Sequence, residues 1–98
     1  MKISNYFSRY FETIHQNLKS INSVQLEEAS YMVWEAYKSS NKIILVGNGG
    51  SAAMSSHIAV DFTKAARIRA VNFNESDLIT CFANDYGYEH WVEKALEA

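Results

Sequence analysis

The texture of the chain changes at residue 42. Lys42-Ile43-Ile44-Leu45-Val46 is an unbroken β-branched and aliphatic run, followed at once by Gly47-Asn48-Gly49-Gly50-Ser51. A short run without polar alternation is the pattern of a strand buried on both faces. The glycines cannot continue that strand and must form a loop. From Ser51 to Lys64 a helical pattern follows, with Ala53, Ile58, Val60, Phe62 and Ala65 among its apolar positions, and Arg69 to Phe73 reads as a second short strand. Strand, tight glycine turn, helix and strand make one βαβ unit, whose crossover requires a parallel pair. Few folds accept that order. The expected class is α/β with a parallel sheet.

The flanking segments are helical. Ile3, Phe7, Phe11, Ile14, Leu18 and Ile21 recur in steps of three and four, which lays one apolar stripe along a helix. Asn22-Ser23 breaks the pattern, and Ser23 is the expected N-cap of a second helix through Lys38, with Leu26, Ala29, Val33, Ala36 and Tyr37 on one side. Residues 1–40 thus form a helical hairpin that needs something to pack against, and 41–98 form the α/β part. After the second strand, Asn74 to Asp77 is expected to turn and Ser76 to cap a short helix over Leu78 to Ala83. Asn84-Asp85-Tyr86-Gly87 is expected to turn again, before a last helix from Tyr88 to the end.

Bulk properties exclude several classes. Ninety-eight residues at 48% hydrophobic content describe one small globular domain rather than a disordered segment. A net charge of -2 with interleaved signs lacks the basic footprint of a nucleic-acid binder. The longest apolar run, Ile43 to Gly47, is far too short for a membrane span, and the N-terminus does not read as a signal peptide. The single cysteine, Cys81, fits a reducing cytoplasm and is expected as a buried filler. Trp34 and Trp91 are expected to pack, and His15 and His90 to be solvated or capping groups.

The glycine loop is the chemical centre of the sequence. Open α/β sheets bind ligands at the carboxyl ends of their strands, and glycines there let backbone approach an anion. The first amides of a following helix are expected to lack intrahelical partners and to aim positive charge at that space. Ser51 adds a hydroxyl and Asn48 a side-chain amide. A plain structural turn would need the same glycines. A nucleotide P-loop would require Lys-Ser or Lys-Thr after the second glycine, which is absent. Gly47 to Ala52 does satisfy G-x-G-x-x-A, but a dinucleotide site wants an acid about twenty residues on. That window holds Arg67 and Arg69, and Glu75 comes only after the expected turn.

Val46-Gly47-Asn48-Gly49-Gly50-Ser51-Ala52-Ala53, with His57 and then Asn84-Asp85-Tyr86-Gly87, resembles the phosphoheptose isomerase branch of the sugar isomerase (SIS) family. The resemblance runs through essentially the whole chain and matches the first half of the family's domain. It implies a doubly wound parallel sheet in a flavodoxin-like three-layer fold behind N-terminal helices, and assembly into a homo-oligomer, a tetramer or dimer, with sites near subunit boundaries. It implies a phosphorylated sugar held by Asn48, Gly49, Gly50, Ser51, Asp61, Asn84 and Asp85. It implies zinc on His57 and on the residue four further on, usually a glutamate that is also the catalytic base. Here that residue is Asp61, one methylene shorter, on the same helix face by its i, i+4 spacing. A shortfall of about 1 Å matters in proton transfer. The implied reaction converts sedoheptulose 7-phosphate to a heptose 7-phosphate for nucleotide-heptose synthesis and surface polysaccharide. Two rivals stand beside it: a non-catalytic module on the same scaffold that binds a phosphosugar or a partner protein, and a dinucleotide-binding fragment.

Overall fold

A computed structural model describes residues 2–98 and divides into two compact units, one ending at Met32 and the other running from Val33 to Ala98. The first unit is helical. Helix α1 spans Ile3–Lys19, and α2 spans Ser23–Lys38, crossing the boundary between the units. Asn22, not Ser23, caps α2: its Oδ1 accepts from the amides of Val24 and Gln25 at 2.9 and 3.3 Å. A planar side-chain amide one residue ahead of the helix satisfies two orphan donors at once, which a serine within the first turn cannot. Neither helix contains a buried residue. The aromatic groups of α1 instead stack along their own helix, Tyr6 on Tyr10 and Phe7 on Phe11.

In the second unit, β1 (Ile43–Leu45) and β2 (Ala70–Asn72) pair in parallel, Ile43 opposite Ala70 and Leu45 opposite Asn72. Both strands are shorter than the apolar runs that announce them. Each pairs on one side only among the described residues, so β1 is half-buried rather than enclosed on both faces. Helix α3 (Gly50–Asp61) lies against both strands as the crossover, and continues through a π-helical turn over Phe62–Ala66. Arg67 ends it in a left-handed conformation, φ 58°, where the amides of Arg67 and Ile68 both bond to the Phe62 carbonyl. This is the geometry usually given to glycine at a helix C-terminus.

Helix α4 (Ser76–Tyr86) is longer at both ends than the expected Leu78–Ala83. Glu75, not Ser76, is its cap, the Oε2 accepting from Asp77 and Leu78 at 2.9 and 3.1 Å. Asn84 and Asp85 therefore lie in the last helical turn instead of a loop, and Gly87 (φ 92°) makes the break. A 3-10 turn, Tyr88–His90, leads into α5 (Trp91–Glu97), so the terminal segment is two elements rather than one helix.

The buried residues are Ser55 and Ala59 of α3 and Trp91 and Ala95 of α5, with Trp91 the most enclosed at 4% exposure. Trp34 lies half open against Tyr37 with the Lys38 ammonium 6.0 Å from its ring centre. Cys81 is exposed, contrary to its expected role as core filler, because it sits on the outer side of a helix that buries nothing completely. Among the described residues, no helix is long and apolar enough to cross a membrane.

Candidate functional site

The loop from Val46 to Gly49 leaves the carboxyl end of β1 and runs directly into α3. Gly47 is required by space: a Cβ there would stand 2.3 Å from the carbonyl carbon and oxygen of Ser51. Gly49 is required by conformation, its φ of 59° lying where a side chain is costly. Gly50 is required by neither, for a Cβ would meet nothing within 4 Å and its φ is ordinary. A glycine that packing does not need is what close approach by a ligand would call for.

The helix start is wound more tightly than expected. Ser51 donates to the Asn48 carbonyl at 3.1 Å, and Ala52 and Ala53 to the Gly49 carbonyl at 3.0 and 3.4 Å. The first amides of the Ser51 helix are therefore occupied, a correction to the sequence reading that follows from the turn closing on itself. The amides of Asn48, Gly49 and Gly50 have no partner among the described residues. The open donors lie one to two residues earlier than anticipated.

Two asparagines to which the sequence reading gave no role at the site hold the loop. Asn74 accepts from Gly47 N–H at 2.8 Å and donates from Nδ2 to the Gly47 carbonyl at 2.6 Å, matching both polar groups of that residue. Asn72 donates to the Leu45 carbonyl at 2.9 Å and accepts from the Asn74 amide at 2.9 Å, while Ser56 on α3 donates to Asn72 at 3.2 Å. These side chains extend the β1–β2 pairing past the end of the sheet. A signal existed in the sequence, since asparagine is depleted in strands and two of them spaced i, i+2 share one face. From the other side, the Tyr88 hydroxyl donates to Asn48 Oδ1. A cavity of about 340 Å³ beneath the loop is lined by Val46, Gly47, Asn48, Tyr88, Glu89, Trp91 and Val92.

None of His57, Asp61, Asn84 or Asp85 lines that cavity. His57 Nε2 stands 3.6 Å from Asp61 Oδ1, with side chains 77% and 66% exposed on the open side of α3. At 100° per residue Gly50, His57 and Asp61 fall on one face of the helix. The helix advances roughly 16 Å between Gly50 and Asp61. A ligand touching both the loop and that carboxylate must lie along α3. Imidazole and carboxylate suit zinc, but no group of three His, Cys, Asp or Glu is assembled among the described residues. The pair supplies two donors, and no third stands with them among the described residues. Asn84 Nδ2 bonds to Asp85 Oδ1 at 3.2 Å, and the other carboxylate oxygen of Asp85 lies 3.9 Å from Cys81 Sγ. His90 has neighbours after all, Glu93 at 3.4 Å and Glu89 at 3.9 Å.

The dinucleotide reading loses its acid. The residues closing β2 are Asn72 and Asn74, both engaged with the loop, and the Glu75 carboxylate is spent on the α4 cap.

Comparison with known proteins gives one consistent family. The SIS domain family model matches residues 6–94. The phosphoheptose isomerase 2 of Campylobacter jejuni is 35% identical over 103 aligned positions, covering 98% of this chain and 51% of the relative. The phosphoheptose isomerase of Clostridium acetobutylicum is 38% identical over 81 positions, 76% of this chain and 41% of that protein. That of Aneurinibacillus thermoaerophilus is 35% identical over 79 positions, 74% of this chain and 40% of the relative. The chain spans about half the length of the curated relatives it matches.

Proposed function

The chain belongs to the SIS domain family, and from that premise we propose that it is the phosphosugar-gripping half of an aldose-ketose isomerase acting on sedoheptulose 7-phosphate. The observation that carries the reading is the loop itself. Three adjacent amides, of Asn48, Gly49 and Gly50, are free at the carboxyl end of a parallel strand and the start of a helix, and Gly50 has no structural need to be glycine. The names of the relatives supply the substrate class.

In an aldose-ketose exchange a base removes the proton on the carbon beside the carbonyl, and the resulting enediol is reprotonated at the neighbouring carbon. Asp61 is the carboxylate on the ligand-facing side of α3, and leaning of helical side chains toward the N-terminus brings it nearer the loop. Ser51, Asn84 and Asp85 are proposed to complete the grip on the sugar. His57 and Asp61 would hold zinc together with donors from beyond this set, and such an ion would polarise the sugar oxygens. The half-built donor set also favours a second reading, a module that binds a phosphosugar without turning it over.

Titration with sedoheptulose 7-phosphate tests the site that both readings share, and an assay of turnover separates them. Amide resonances of Asn48 to Gly50 are expected to shift with that sugar and not with NAD. A response to NAD alone, or to neither compound, rejects the assignment.

A further inference from the structure

Asn48 carries a side chain with a donor end and an acceptor end, and which end meets the ligand decides what the loop can select. The Tyr88 hydroxyl occupies the acceptor end, Oδ1. We propose that Tyr88 is a positioning residue that locks Asn48 with its Nδ2 toward the ligand, so that the loop presents donors only. This rests on the reading of the loop as a phosphosugar site.

Tyr88 is placed for that task by its own segment. Gly87 breaks α4 at φ 92°, the 3-10 turn follows, and Trp91 anchors it at 4% exposure. Tyr88, Trp91 and Asn48 line the same cavity, so the phenol reaches the loop from a fixed base. A phenol in its neutral form has one proton to give, and giving it to Oδ1 leaves Nδ2 as the free end of Asn48. Next to the open amides of Asn48, Gly49 and Gly50, that end adds a fourth donor. A site built only of donors favours acceptor-rich groups, phosphate or ionised oxygens, over groups that must donate. Without the hydroxyl, Asn48 rotates freely and offers its carbonyl as readily as its NH2.

The test uses the full chain, inorganic phosphate as the probe, and the variants Tyr88→Phe, Asn48→Ala and the double substitution. Tyr88→Phe removes one oxygen from an exposed ring, and its fold is checked by unchanged backbone resonances. The Asn48 side-chain NH2 is expected to be rigid in the parent and mobile in Tyr88→Phe, and phosphate binding to weaken by about three- to tenfold, the worth of one oriented hydrogen bond. Once Asn48 is alanine, Tyr88→Phe is expected to change nothing further. A rigid Asn48 amide and unchanged binding in Tyr88→Phe would overturn the proposal, as would full additivity of the two substitutions. Should the parent itself ignore phosphate, the reading of the loop fails and the donor role with it. The side-chain amide dynamics still report, in that case, whether Tyr88 orients Asn48.

Discussion

Gly47, Gly49 and Gly50 are three identical residues with three different reasons to be there, and substitution separates them. Gly47→Ala drives a methyl into the Ser51 carbonyl and is expected to cost about 2–3 kcal/mol, as overpacking does. Gly49→Ala has room but must hold φ 59° with ψ -121°, outside even the left-handed helical region, at about 1–3 kcal/mol. Gly50→Ala meets nothing and begins a helix, so thermal stability is expected to hold or rise slightly while phosphate binding falls. Melting curves and a phosphate titration on the three variants check this. Unchanged phosphate binding in Gly50→Ala would mean that the phosphate does not lie against this glycine. Asn74→Ala removes both bonds to the Gly47 peptide in a half-buried setting and is expected to cost about 1–3 kcal/mol. Glycine spacing made this loop legible in the sequence. The asparagines were legible only as residues unusual at a strand end; what they hold was not, because it depends on which backbone group lies opposite, 27 residues away.

At the scale of elements, the order of helices and strands follows the hydrophobic periodicities closely, and the departures are at the ends. Caps decide ends, and a cap is a single side chain whose rotamer the periodicity does not encode. Asn22 and Glu75 each displaced a neighbouring serine from that role. The longer α4 carries a consequence for the site, since it turns Asn84 and Asp85 from loop residues into residues of a helix end. Arg67 offers a direct test of termination. Its left-handed backbone is one that glycine adopts without steric cost. Arg67→Gly is expected to stabilise the second unit by up to about 1 kcal/mol, read from chemical denaturation. A loss of stability would mean that the arginine side chain contributes more than its backbone costs.

For the whole molecule, exposure is the dominant fact. Tyr6, Phe7, Tyr10, Phe11, Ile14 and Leu18 all stand open on α1, and β1 and β2 each leave an unpaired edge among the described residues. Apolar surface on that scale favours association. We expect the chain to self-associate through α1, and Phe7→Glu with Phe11→Glu to lower the mass in light scattering without loss of helicity. A monomeric parent at micromolar concentration would remove this expectation. Catalysis is a separate matter. With His57 and Asp61 standing without a third donor among the described residues, and that carboxylate roughly 16 Å along α3 from the loop, the 98 residues alone are expected to give no turnover of sedoheptulose 7-phosphate. Turnover that survives removal of host enzyme would show that copies of the chain complete the site between them.

Local chemistry determined a good deal before any packing was known. The strands and helix of a βαβ unit, the glycine loop at a strand end and the i, i+4 spacing of His57 and Asp61 all follow from interactions within a few residues, which periodicity and glycine placement record, and the parallel pairing follows from the order of those elements. Tertiary structure alone decided what holds the loop and what it presents. Asn74 reaches Gly47 across 27 positions and Tyr88 reaches Asn48 across 40, so neither contact leaves a trace in local sequence. It also decided that His57 and Asp61 lie open on α3, outside the cavity beneath the loop. The physical reason is the same in each case. Hydrogen bonds and burial depend on which surfaces meet, and helical period places a residue on a face without saying what that face will touch.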